Sequence, residues 1–126
     1  MNNDRVRKVS TGERLNGPPT PGMNRFTALE SETMWIGGAA TDPGMTSGWH
    51  HHGEHESAIY VLSESLRMKF GPGSAETFDA GPGDFVYIPR GAIHRESNPA
   101  DGPAVVVVVR AGTGDSVVNV DGPAPD

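Results

Sequence analysis

The sequence predicts one small all-β domain, a sandwich or barrel, and three observations carry that prediction. Valine outnumbers leucine three to one, and β-branched side chains suit the pleated surface of a strand. Glycine (17) and proline (11) make up more than a fifth of the 126 residues and cut the chain into short pieces. The clearest period is two: Leu66, Met68 and Phe70 alternate with Arg67 and Lys69, and no segment carries a convincing helical period.

Taken in order, residues 1–25 read as an N-terminal arm, because Gly17-Pro18-Pro19-Thr20-Pro21-Gly22 cannot be helical and makes a poor central strand. Residues 26–121 are expected to form the β domain and 122–126 a short tail of breakers. Strands are expected at 33–40, 57–62, 66–70, 76–79, 85–89, 104–111 and 116–120. Pro43-Gly44, Gly71-Pro72-Gly73, Gly81-Pro82-Gly83 and the stretch from Pro99 to Pro103 divide them. The unbroken valine run at 105–109 suits a strand covered on both faces.

Composition excludes several functions. The chain has no cysteine, which removes a disulfide scaffold, a zinc ribbon and a thiol nucleophile together. A net charge of −6 leaves no electrostatic footprint for nucleic acid or an anionic membrane. No apolar run is long enough to cross a bilayer, and none follows Arg5, Arg7 and Lys8, so a cytoplasmic location is expected.

The histidines are crowded. Four of five lie in Trp49-His50-His51-His52-Gly53-Glu54-His55-Glu56, and the fifth is His94. Residues two apart on a strand share a face, so His50 and His52 aim together. Glu56 has the same parity and rejoins that face if Gly53 allows a kink. Two imidazoles and a carboxylate converging in this way can hold a divalent metal. His51 and His55 have the opposite parity and are expected as bystanders, with His55 the substitute for Glu56 if the register differs. In the second cluster, Gly83-Asp84-Phe85-Val86-Tyr87-Ile88-Pro89-Arg90-Gly91-Ala92-Ile93-His94, a strand and a sharp turn present His94 as a further ligand.

Both clusters resemble the two motifs of the cupin superfamily, which are jelly-roll (double-stranded β-helix) barrels. The first motif runs Gly, five residues, His-x-His, three or four residues, Glu, six residues, Gly; here it meets Gly44, His50, His52 and Glu56. The second runs Gly, five residues, Pro-x-Gly, two residues, His, three residues, Asn, and every fixed position is present: Gly83, Pro89, Gly91, His94 and Asn98. One departure is that Ser63, followed by Glu64, stands where the first motif ends on glycine. The likeness spans about residues 33–120 and is that of a small single-domain member.

The resemblance implies one divalent metal ion per chain (Fe, Mn, Ni or Zn) held by His50, His52, Glu56 and His94. It also implies a metal-dependent enzyme acting on a small polar, phenolic or diketone molecule, with a dioxygenase ahead of an isomerase or lyase. A non-catalytic binding or sensory module is the alternative. The Glu56 face, continuing through Ala58, Tyr60 and Leu62, is expected to line the cavity together with Met68 and Phe70. Tyr60 and Glu56 are the expected proton-transfer residues, and Arg90 and Arg95 could meet an anionic substrate, although parity turns Arg95 away. A homodimer is expected, with the valine strand offering an apolar face to a second copy.

Overall fold

The computed structural model describes residues 5–123, so the first four residues of the expected arm and the last three of the tail lie outside the described residues. The described residues form eleven strands: β1 (Leu15–Asn16), β2 (Asn24–Glu30), β3 (Met34–Thr41), β4 (His50–His51), β5 (Glu56–Ser63), β6 (Leu66–Phe70), β7 (Glu76–Ala80), β8 (Phe85–Ile88), β9 (His94–Ser97), β10 (Ala104–Ala111) and β11 (Val118–Asn119). They form two antiparallel sheets, ordered β1-β2-β3-β10-β5-β8 and β11-β4-β9-β6-β7. This is the jelly roll. The only helical pieces among the described residues are two three-residue turns.

Alternation dictates which side chains enter. On β6, Leu66 and Met68 are buried while Arg67 and Lys69 face outward, as the period of two requires. On β10, Ala104, Val106, Val108 and Arg110 point inward. Val105 and Val107 are only half-buried on the outer face, and Val109 is exposed. The valine run is therefore hydrogen-bonded along both edges, between β3 and β5, but is covered on one face and not two. The core that results is Trp35, Ala39, Ile59, Val61, Leu66, Met68, Ala80, Val86, Ile88, Val106 and Val108.

Two departures from the expected elements matter for the site. β2 begins inside the expected arm, and its pairing with β3 carries Arg25 to the interior. The tight turn at residues 52–55, where Gly53 takes φ +59° and the His55 N–H donates to the His52 carbonyl, resets the parity of β5. Ser57, Ile59 and Val61 consequently face the core, and Glu56, Ala58, Tyr60 and Leu62 lie on the outer side. Tyr60 stacks there on Phe85, with ring centroids 4.8 Å apart. It does not line the barrel interior.

Candidate metal centre

His50, His52 and His94 meet inside the barrel. One ring nitrogen of each lies within 4.8 Å of the others, and all three residues are at most 2% exposed. His50 and His94 are register partners on the neighbouring strands β4 and β9, while His52 follows β4 on the face parity assigns it. The turns that bring them together use glycine where the backbone needs a left-handed residue: Gly44, Gly83 and Gly91 all have positive φ.

The protons on these rings can be placed. Nδ1 of His50 lies 3.0 Å from the Gly48 carbonyl, Nδ1 of His52 lies 2.8 Å from that of Ser116, and Nδ1 of His94 lies 2.8 Å from that of Ala92. A carbonyl oxygen only accepts, so each Nδ1 carries the proton and each Nε2 presents a lone pair. Anchoring the remote N–H to a carbonyl is how proteins orient an imidazole toward a metal. The Nε2 of His94 is buried and has no hydrogen-bond partner among the described residues. Burial pushes the His50 ring down to about 4, with Glu96 opposing, and the His52 ring down to about 2, helped by Arg110. Both rings are neutral near pH 7, as metal ligation requires. Three imidazoles with converging ring nitrogens fit a divalent iron, manganese, nickel or zinc ion.

Glu56 does not join them. It begins β5 on the outer face, where Tyr87 donates to Oε1 at 3.3 Å and Arg90 pairs with Oε2 at 3.3 Å. The reason is the parity reset at Gly53, which turns Glu56 outward and Ser57 inward. With four residues between His52 and the glutamate of the first motif, that glutamate's place falls on Ser57. The terminal glycine's place then falls on Glu64, whose φ is +61°, and this matches the backbone better than the shorter spacing. Tyr60 lies outside for the same parity reason.

His51 lies at the surface, its Nδ1 accepting from the Gly53 N–H at 3.0 Å, and His55 is buried with its Nδ1 donating to the His52 carbonyl at 3.2 Å. Neither belongs to the group of three. Arg90 also donates from Nε to the Glu54 carbonyl, and Arg95 lies over Trp49 with its Nε donating to the Ser47 carbonyl. Asn98, the last residue of the second motif, is structural: its Nδ2 donates to the Thr41 and Gly102 carbonyls and its Oδ1 accepts from Ala100.

Three buried charged residues stand beside the histidines. Glu96 on β9 places Oε1 3.6 Å from the His94 Nε2. Burial alone would raise its carboxyl, but the adjoining His94 and His50 rings and the Arg25 guanidinium reverse this and hold it below the usual carboxylate range. Arg25 reaches in from β2, donating to the Pro18 carbonyl at 3.0 Å, to the Thr20 hydroxyl, and to the His50 Nε2 at 3.2 Å. That His50 lone pair cannot serve the guanidinium and a metal ion at once. Arg110 lies over the Trp35 indole, 4.3 Å from its centroid, and burial followed by the Arg25 charge pushes its guanidinium down to about 9. An apolar cavity of about 180 Å³ opens onto His94, lined by Met68, Phe70, Phe78, Val86, Tyr87, Ile88, Pro89 and Ala92. Met68 and Phe70 are there as expected; Phe78 of β7, with β8 and the turn after it, takes the place of the β5 face.

A jelly roll with inward histidines from β4 and β9 defines the class, and comparison with known proteins agrees. The cupin domain family matches residues 39–110, and the chain belongs to that family. By sequence, no curated protein matches it. Among solved structures it is similar to a Klebsiella pneumoniae protein with a double-stranded β-helix domain, at TM-score 0.73 and 21% identity over 92% of this chain and 98% of that one. It is also similar to the polyketide cyclase RemF of Streptomyces resistomycificus, at TM-score 0.73 and 22% identity over 92% and 86% of the two chains. An oxalate decarboxylase of Bacillus subtilis aligns at TM-score 0.70 and 23% identity, over 82% of this chain but only 29% of the larger enzyme. At these identities the likeness is one of fold.

Proposed function

We propose that the protein is a metal-dependent enzyme acting on a small molecule with an apolar body and an oxygen-bearing head, such as a phenol or diketone. One observation carries this: three imidazoles gather their ring nitrogens within 4.8 Å of one another, and one of them, His94, lines an apolar cavity. A divalent ion held there supplies either a centre for activating O₂ or a Lewis acid that polarises a carbonyl. The chain does the rest. Met68, Phe70, Val86 and Ile88 exclude water and grip the apolar body. His50, His52 and His94 orient the head group, each locked by its own carbonyl contact.

Oxygenation is our leading reading. The Lewis-acid reading is favoured by a separate observation, the buried Arg25 and Arg110 beside the cluster, since fixed cations stabilise negative charge developing on a carbonyl oxygen. Elemental analysis of protein purified without a histidine tag identifies the metal, and oxygen uptake across a panel of diketones and catechols tests the chemistry. We expect roughly one ion per chain and uptake with iron-loaded protein. Turnover without uptake would move the assignment to the Lewis-acid reading, and absence of bound metal would refute both.

A further inference from the structure

We propose that Glu96 is the carboxylate ligand of this centre, the position on β5 where the family carries glutamate being Ser57 here. The inference rests on the three-imidazole centre proposed above and adds a fourth group to it.

β9 has an alternating burial pattern, so Glu96, two residues beyond His94, necessarily shares its inward face. Its Oε1 stands 3.6 Å from the His94 Nε2. Two ligands bound side by side at roughly 2.0–2.2 Å from a metal lie about 3 Å apart, so this pair needs to close by well under an ångström; Glu96 stands outside the group of three, so its carboxylate must also swing toward His50 and His52 on metal binding. Its other oxygen, Oε2, is buried and has no hydrogen-bond partner among the described residues. A buried carboxylate oxygen left so is costly unless something binds it. Among the described residues Glu96 makes an ion pair with neither Arg25 nor Arg110, and its close neighbour is the unprotonated Nε2 of His94. Meanwhile the β5 position offers only the short, neutral Ser57 hydroxyl, itself buried and unbonded. Glu56 is committed to Tyr87 and Arg90 outside.

Cobalt(II) alone is the probe. Metal-free protein is titrated with it, with affinity followed by the visible absorption of the bound ion and the carboxylates followed by infrared difference spectroscopy. In the unaltered chain we expect one carboxylate stretching band to shift on cobalt binding. Glu96→Gln should remove that band and weaken affinity 100-fold or more, while Glu56→Gln and Glu54→Gln should keep both. A carboxylate acting only from outside the ligand set also weakens affinity, by 10–100-fold, so the band decides. Should Glu96→Gln fail to fold, the other two variants decide: loss of the band in either overturns the proposal, and its survival in both supports it. A shifted band that persists in Glu96→Gln, or no shifted band in the unaltered chain, overturns the role of Glu96 and leaves the imidazole centre standing. A chain that binds no cobalt overturns both.

Discussion

His50, His52 and His94 each fix their own orientation through a backbone carbonyl, so the convergence of their lone pairs does not depend on an ion being present. Removing one ring should therefore cost the site and spare the fold. We expect His52→Ala to lose bound metal while its circular dichroism stays that of the parent; full metal occupancy in that variant would refute the ligand assignment. The same burial makes the metal-free protein acid-labile. His50 titrates near 4 in the fold against 6.5 when free, so the unfolded chain binds the extra proton as pH drops below 6.5. Stability is whole above that value and is lost progressively down to about pH 4, by on the order of 3 kcal/mol from this ring. Glu96, held below its free value, keeps its contribution above pH 4.5 and loses it further into acid, in the same direction. Melting temperature against pH in the absence of metal checks this, and a flat profile between pH 6.5 and 4 would contradict it.

Among the strands, the turn from β5 to β6 is where the chain departs from its family in a measurable way. Glu64 sits at φ +61°, a conformation in which a side chain is strained by roughly 1 kcal/mol and glycine is not. Glu64→Gly should raise stability by about that much, a few degrees in melting temperature, with metal affinity unchanged. Fold and triad were legible because they follow from local rules: strand parity aligns His50 with His52, and Pro89-x-Gly91 forces the turn before His94. Parity carried from His52 to Glu56 failed because the turn around Gly53 uses up residues and inverts the phase of everything after it on β5. Glu96 was within reach of the same rule, being two residues beyond His94. Arg110 shares the phase of Val106 and Val108, and so becomes legible once the inward face of β10 is known. Arg25 had no local signal, since only the pairing of β2 with β3 brings it inside.

Viewed as a whole, the molecule has one side that a lone chain leaves poorly covered. Leu62, Phe85, Tyr87 and Val109 are all exposed on the outer face of neighbouring strands β10, β5 and β8. We propose that a second copy covers this face, since exposed apolar side chains grouped on neighbouring strands mark surfaces of association. Sedimentation should give a dimer for the parent and a monomer for Phe85→Lys combined with Leu62→Lys; a monomeric parent would refute the pairing. The interior has a different imbalance. Two guanidiniums, one carboxylate and four imidazole rings are kept from water in a chain of 126 residues, at a cost to folding that a bound ion would offset. An ion at a hundred times its dissociation constant contributes about 2.7 kcal/mol to the folded state. The melting curve would then serve as an assay needing no known substrate, with the metal that raises it most being the one the interior is built to hold. In a cell, the amount of intact protein would rise and fall with the supply of that metal.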